Sequence, residues 1–416
     1  MNKCFIPSLE FIAGFLFVSL FFSNNLRAQY CTDDNRFTEV EYFSINQIDS
    51  VFDISYASVN DWLGEELDLQ LDIYFPSSDY DSLSQRPFVM MIHGGAFVGG
   101  NKSGLRKDCR ELAKRGFVAA TISYRLGYDL EVPNSQFLAV YRAVQDANAA
   151  FRYIDENSSD YSIDTSWMFA GGLSAGSYTV LGAHYYDQED MDSFIPGIGS
   201  LLGGINDSGN DLTNTFSIKG NYNSWGAILI SSMQIEELIP TISFHGVLDE
   251  TVLIGLTEIG IGGSAIVDSL LNENGVCSEL VIDSLGGHGI YGGSTISGSQ
   301  FRSKRASCFF KSIFCDNCSS EFITEQILPT CSSDLSSINN LTSSSSIDVY
   351  PNPFSDSFKI EGLEGTNYFT LYNSKGQKIE EGDNISDFEM SFVPNGIYFL
   401  SIQSNNFVRS VKLVKL

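Results

Sequence analysis

The sequence predicts an α/β protein, a mostly parallel sheet with helices on both faces, followed by a small all-β sandwich. Three observations carry this expectation. Short apolar runs alternate with helix-spaced segments from Leu67 to Phe169, the strand, helix, strand order that builds parallel sheets. The composition then breaks at a serine-rich stretch, 331–346, too polar to bury a core. Beyond the break, short strand-like runs are separated by Gly, Asn and Asp turns, without helical spacing between them.

The elements follow in order. The chain has 416 residues, enough for two domains. Its first segment carries Lys3, an apolar run from Phe11 to Phe22 and the small residue Ala28. Residues 1–28 are therefore expected to be a secretory signal peptide. The run is shorter than the roughly 20 residues a spanning helix needs, and no later stretch reads as transmembrane. Residues 29–330 are expected to form the first domain. Leu67 to Phe75 (LDLQLDIYF) alternates apolar and polar residues like a half-buried strand. Phe88 to Ile92, Phe117 to Ile122 and Met168 to Phe169 read as inner parallel strands. Between them, Leu105 to Arg115 and Phe137 to Ile154 have helical spacing. Ligands of such sheets bind at the carboxyl ends of the strands, so chemistry is expected there. Gln188 to Glu237, rich in Gly, Asn and Ser, reads as loops and is the stretch available to cover a site. Residues 331–346 read as linker. In 347–416 the strand-like runs are Phe369 to Asn373, Ile397 to Ile402 and Val408 to Leu413.

Composition narrows the function classes. The net charge is −27, from 51 acidic and 24 basic residues, which repels phosphate backbones and argues against a nucleic-acid partner. Cys4 would leave with the signal. Cys31, Cys109, Cys277, Cys308, Cys315, Cys318 and Cys331 remain, an odd number, so at least one is free or pairs between chains. Export permits disulfides. Cys315-Asp-Asn-Cys318 has no second pair and no nearby histidine to complete a zinc site. Structural disulfides near the end of the first domain are expected, with a pairing that spacing does not fix. No metal or organic cofactor is called for.

The chemistry centres on Gly172-Leu173-Ser174-Ala175-Gly176. Ser174 follows the apolar stretch Trp167 to Ala170 and precedes a possible helix, Tyr178 to His184. A serine at a strand-to-helix turn is exposed on a strained backbone, and glycine on either side removes clashing side chains. His93-Gly94-Gly95-Ala96-Phe97 directly follows the strand Phe88 to Ile92. Its N–H groups at Gly95 and Ala96, with that of Ala175 at the helix start, suit a developing oxyanion. The base must be one of four histidines. His93 belongs to the glycine loop. His184 lies about 15 Å along the helix from Ser174. His245 ends the apolar run Thr241 to Phe244 and reads as structural. His288, in Gly286-Gly287-His288-Gly289, is on a glycine-flanked loop after the run Leu280 to Ile282 and is the expected general base. Asp249, just past a strand end in HGVLDETV, is the expected partner of that base. Asp268, in a probable helix, Asp283, on a strand, and the adjacent Glu250 are its rivals. Phe97, Tyr124, Tyr128, Trp225 and Tyr291 lie beside the motifs, where they line a pocket or pack beneath it. The order Ser174, Asp249, His288 is that of the α/β-hydrolase fold.

Together HGGAF, GLSAGS, HGVLDETV and GGHG resemble the carboxylesterase kind of α/β-hydrolase, above all the bacterial feruloyl-esterase-like and hormone-sensitive-lipase-like groups. The likeness covers roughly residues 60–315. Many relatives carry a third glycine where this chain has Ala96; alanine still offers an N–H. The tail resembles the type A C-terminal sorting domain of the type IX secretion system of Bacteroidetes, through Tyr350-Pro351-Asn352-Pro353-Phe354, Leu371 to Gln377, Asn395 to Leu400 and Val411 to Leu416. A carbohydrate-binding β-module is the alternative, although the tail has no Trp for a sugar platform.

These resemblances imply a secreted serine ester hydrolase with Ser174, Asp249 and His288 as triad and the N–H groups of Gly95, Ala96 and Ala175 as oxyanion hole. They imply short-chain or polysaccharide-linked acetyl or feruloyl esters as substrates, and the type IX machinery as partner, with surface attachment or release as the end point. Peptidase or lipase action and a non-catalytic binding protein on the same fold are the competing readings. The acyl and alcohol groups and the oligomeric state are not written in the sequence.

Overall fold

A computed structural model describes residues 29–32, 34–291, 297–324, 326, 348–352, 354–363, 367–373, 377–384, 386–404 and 408–415. The expected signal peptide, 1–28, and linker, 331–346, lie outside the described residues, as do Cys331, Pro353, residues 374–376 and Leu416.

In chain order the strands of the first region are β1 (Ile48–Asn60), β2 (Glu66–Pro76), β3 (Arg86–Ile92), β4 (Val118–Ile122), β5 (Ile163–Leu173), β6 (Ile218–Ser224), β7 (Ala227–Leu229), β8 (Thr241–Gly246), β9 (Ile261–Gly263), β10 (Ser278–Asp283) and β11 (Glu321–Ile323). Nine of them form one sheet in the order β1-β2-β4-β3-β5-β6-β8-β10-β11, and β7 pairs with β9 apart from it. β1, β2 and β4 pair antiparallel; every other neighbour pair in the large sheet is parallel. The helices are α1 (Arg106–Ala113), α2 (Ser135–Glu156), α3 (Ala175–Tyr185), α4 (Gln188–Phe194), α5 (Ile198–Leu202), α6 (Ser264–Glu273) and α7 (Gly298–Phe314).

Successive side chains of a strand point to opposite faces, so a strand buried on both sides feeds two cores. Phe88, Met90 and Ile92 of β3 join one core with Ala139, Ala143, Ala147 and Phe151 of α2. Val89 and Met91 of the same strand join the other core with Leu112 of α1 and Phe301, Phe310 and Phe314 of α7. Helices thus cover both faces. β5 lies at the middle of the sheet, and its carboxyl end delivers Ser174.

One expectation needed correction. Gln188 to Glu237 is not a continuous run of loops. It holds α4 and α5, and Ile218–Ser224 is a central strand between β5 and β8. That strand escaped notice because its buried positions include Asn221, Asn223 and Ser224, which blur an apolar pattern. β1 also went unread, since register shifts between Val51 and Ile54 and between Ser55 and Ala57 interrupt its alternation.

Two disulfides join described residues, Cys31–Cys315 and Cys277–Cys318, so the two cysteines of the Cys315/Cys318 pair reach different partners, and Cys308 is disulfide-bonded as well. Cys109 is free and buried. Cys31–Cys315 closes a separation of 284 residues. Replacing both with serine is expected to lower stability by roughly 2–5 kcal/mol, because the unfolded chain regains its loop entropy. Urea unfolding of the two proteins measures this, and an unchanged midpoint would refute it.

In the tail, β12 (Asp348–Tyr350), β13 (Ser357–Glu361) and β16 (Asp387–Glu389) form one sheet, and β14 (Asn367–Asn373), β15 (Lys378–Asp383), β17 (Gly396–Ser404) and β18 (Val408–Lys415) another. Phe358, Phe369, Leu371, Phe388 and Leu400 fill the space between them, the expected sandwich. Among the described residues no helix is long and apolar enough to cross a membrane.

Candidate active site

Ser174 stands between β5 and α3 with φ 53° and ψ −119°, in a region that side-chain-bearing residues avoid. The backbone around it leaves no room for a side chain. A Cβ on Gly172 would overlap the Gly176 carbonyl, and one on Gly176 would overlap that of Ile92. The two flanking glycines are therefore steric requirements of a tight turn. The Ser174 N–H donates to the Ser224 carbonyl at 2.9 Å, fixing the turn to the end of β6.

The loop after β3 comes against this turn. A Cβ on Gly94 would sit 2.6 Å from the Leu173 carbonyl oxygen and 3.1 Å from the Ser174 Cβ. The next three residues, Gly95, Ala96 and Phe97, all have positive φ. Ala175 is the first residue of α3, where helix geometry leaves the N–H without an intrahelical acceptor. His93 is buried at the foot of this loop, stacked on Tyr124 at 4.5 Å, with its Nδ1 2.7 Å from the Gly94 carbonyl. Burial outweighs that hydrogen bond and lowers its pKa. His93 thus stays neutral and shapes the loop.

His288 and Asp249 arrive on two loops joined by their backbones. The Leu248 N–H donates to the Gly286 carbonyl at 2.9 Å, and the Val247 N–H to the Asp283 carbonyl at 2.9 Å. His288 Nε2 lies 2.8 Å from Ser174 Oγ, and its Nδ1 lies 2.8 Å from Asp249 Oδ2. The imidazole is part-exposed and the carboxylate buried. Asp249 Oδ1 accepts the N–H groups of Thr251 and Val252, each at 2.9 Å. Burial works against its ionisation, but hydrogen bonds from His245, His288 and Val252 outweigh it and hold the carboxyl well below the usual range. It is a carboxylate at neutral pH.

The other candidates lie elsewhere. Asp268 accepts from Lys412 Nζ at 2.8 Å. Asp283 accepts the N–H groups of Leu285 and Tyr291, so it braces the His288 loop. Glu250 is exposed. His184 Nε2 meets the Glu237 carbonyl at 2.8 Å. Of the flanking aromatics, Trp225 meets His288 directly, ring to ring at 6.4 Å, and carries Arg302 at 5.1 Å from its own ring. Sequence reading had no means to find Arg302, which is 77 residues from Trp225 and reaches it only through the fold. Among the described residues no His, Cys, Asp and Glu cluster is arranged to hold a metal.

Residues 71–198 match the BD-FAE family model. That match makes residues 71–198 similar to α/β-hydrolase domains of the esterase type. Residues 348–416 match the secretion system C-terminal sorting domain, which marks the chain for export to the cell surface or beyond. A probable isoprenylcysteine alpha-carbonyl methylesterase from Oryza sativa subsp. japonica is 28% identical over 43% of this chain, and the match spans 41% of that relative. Similar solved structures include a thermophilic esterase from Thermogutta terrifontis with propionate bound, 19% identical, covering 66% of this chain and 97% of that one at TM-score 0.47. A truncated carbohydrate esterase from gut microbiota is 17% identical, covering 66% and 98% of the two chains at TM-score 0.44.

Proposed function

We propose that this chain is an exported serine ester hydrolase with Ser174 as nucleophile, His288 as general base and Asp249 as the group that orients it. The observation that carries this reading is the unbroken chain Ser174 Oγ, His288 Nε2, His288 Nδ1, Asp249 Oδ2, with 2.8 Å at both links. His288 takes the hydroxyl proton as Ser174 Oγ bonds to the acyl carbon. The carbonyl π electrons move to oxygen, where the N–H groups of Gly95, Ala96 and Ala175 receive the charge. The imidazolium, held by Asp249, gives its proton to the departing alkoxide. Water, deprotonated by His288, then attacks the acyl-enzyme and releases the acid.

Short acyl groups, free or attached to polysaccharide as acetyl or feruloyl esters, fit best. α4 and α5 have 7 and 5 residues, too short to form a helical lid of the kind that gates lipases. The rice relative, a probable methylesterase, also points to esters of small groups. Residues 1–28 act as signal peptide, 29–330 as catalytic domain and 331–346 as linker. The sorting domain engages the type IX machinery.

A fluorophosphonate probe tests the reading. One probe per protein, found on the Ser174 peptide by mass spectrometry, together with hydrolysis of p-nitrophenyl acetate, is the expected result. A folded protein inert to both would return the chain to the non-catalytic binding class.

A further inference from the structure

His245 is fully buried, and both of its ring nitrogens have partners. Its Nε2 lies 2.8 Å from the Val252 carbonyl and 3.4 Å from Asp249 Oδ2. A carbonyl only accepts, so Nε2 carries the proton. Nδ1 then faces Ser264 Oγ at 2.7 Å and accepts its hydroxyl hydrogen. Ser264 Oγ in turn accepts from Asn223 Nδ2 at 3.1 Å, and the second hydrogen of that amide goes to Ser243 Oγ at 3.2 Å. Asn223 Oδ1 accepts the Gly226 N–H at 3.0 Å. Each of the four side chains, Asn223, Ser243, His245 and Ser264, is shielded from solvent.

The network has two ends, and both reach His288. At one end His245 holds the carbonyl of Val252, whose N–H is bound to Asp249 Oδ1, and its own N–H stands beside Asp249 Oδ2. The turn carrying the carboxylate is clamped from both sides. At the other end Asn223 pins Gly226, next to Trp225, whose ring meets His288. An apolar residue at 245 would fill the volume but leave the Val252 carbonyl and one face of the carboxylate without a donor, a costly state in a site this buried.

We propose that His245, through the buried network it forms with Ser264 and Asn223, is a positioning residue that fixes the Asp249 carboxylate for His288. This rests on the hydrolase reading, in which His288 is the base. His245 touches no reacting atom and acts through Asp249, so its loss falls on turnover and not on substrate affinity.

The test compares His245→Phe, His245→Gln and Ser264→Ala in the full exported protein. His245→Phe is expected to lower kcat on p-nitrophenyl acetate roughly 10- to 100-fold, the usual worth of a hydrogen bond to a charged group, with KM nearly unchanged. His245→Gln, which keeps an N–H donor, recovers most of the loss. Ser264→Ala shifts kcat in the same direction by a smaller factor. A second readout needs no turnover. In a Ser174→Ala background the proton NMR signal of the His288 Nδ1–H is expected to be present, to weaken with His245→Phe and to return with His245→Gln. A folded His245→Phe protein with full kcat and an intact signal would overturn the proposal, as would a Gln variant no better than Phe. Should the Phe variant fail to fold, a folded Ser264→Ala protein with unchanged kcat and signal overturns it equally. A wild-type protein inert to esters and to the fluorophosphonate, whose Nδ1–H signal still follows residue 245, would sink the hydrolase reading and leave the positioning role standing.

Discussion

Replacing Ser174 with alanine is expected to lower kcat on p-nitrophenyl acetate by about a millionfold, with the fold unchanged. The size of the loss follows from what the hydroxyl does. It supplies the atom that bonds to the acyl carbon, and among the described residues it is the hydroxyl found at His288 Nε2. Without it, His288 can only activate water against a carbonyl held in the glycine loop, which leaves the modest residual rate of an oxyanion hole acting alone. The fold is safe because the links of Ser174 to the rest of the turn are made by its backbone, through the N–H on Ser224 and the carbonyl accepting from Ser177. The strained φ of 53° is common to serine and alanine, so melting temperatures should agree. Equal rates in the two proteins would rule out Ser174 as nucleophile.

The legible parts of this molecule are those where local sequence dictates local geometry. Glycines at 172 and 176 are steric needs of one turn, and the run from Phe88 to Ile92 is apolar because both faces of β3 are covered. Ser174, Asp249 and His288, which the fold brings within hydrogen-bond distance, each follow a strand end, where such sheets bind their ligands. What stayed hidden depends on contacts between distant residues. β6 was lost inside a supposed covering segment because Asn223 is a core residue, satisfied by Ser243 and Ser264 from elsewhere in the chain. Cys31 finds Cys315 only once the N-terminal segment has packed beside α7, where Tyr30 lies against Phe314. The same holds for His245, whose reading as structural omitted the carboxylate 3.4 Å away.

Asp249→Asn is expected to cost about four orders of magnitude in kcat, with little change in KM. Four donors surround this carboxylate. The Thr251 and Val252 N–H groups point at Oδ1, and His288 Nδ1 and His245 Nε2 lie at Oδ2. An asparagine has one oxygen, so whichever way its amide turns, its NH2 group faces donors. If the amide nitrogen turns to the histidines, His288 Nδ1 becomes an acceptor and the proton moves to Nε2, the tautomer that cannot deprotonate Ser174. If it turns to the backbone, two N–H groups lose their acceptor and the turn that presents residue 249 is strained apart. Both outcomes also remove the negative charge that stabilises the imidazolium formed during attack. Stability changes with a defined sign. The carboxyl is held below its ordinary pKa in the folded state, so its contribution is fully present above the unfolded value near 4 and fades as pH falls through the folded one. The Asn variant should therefore melt below the wild type at neutral pH, and the gap should narrow in strong acid. Parallel kinetic and melting measurements separate the two effects, and an Asn variant with wild-type kcat would show that another group orients His288.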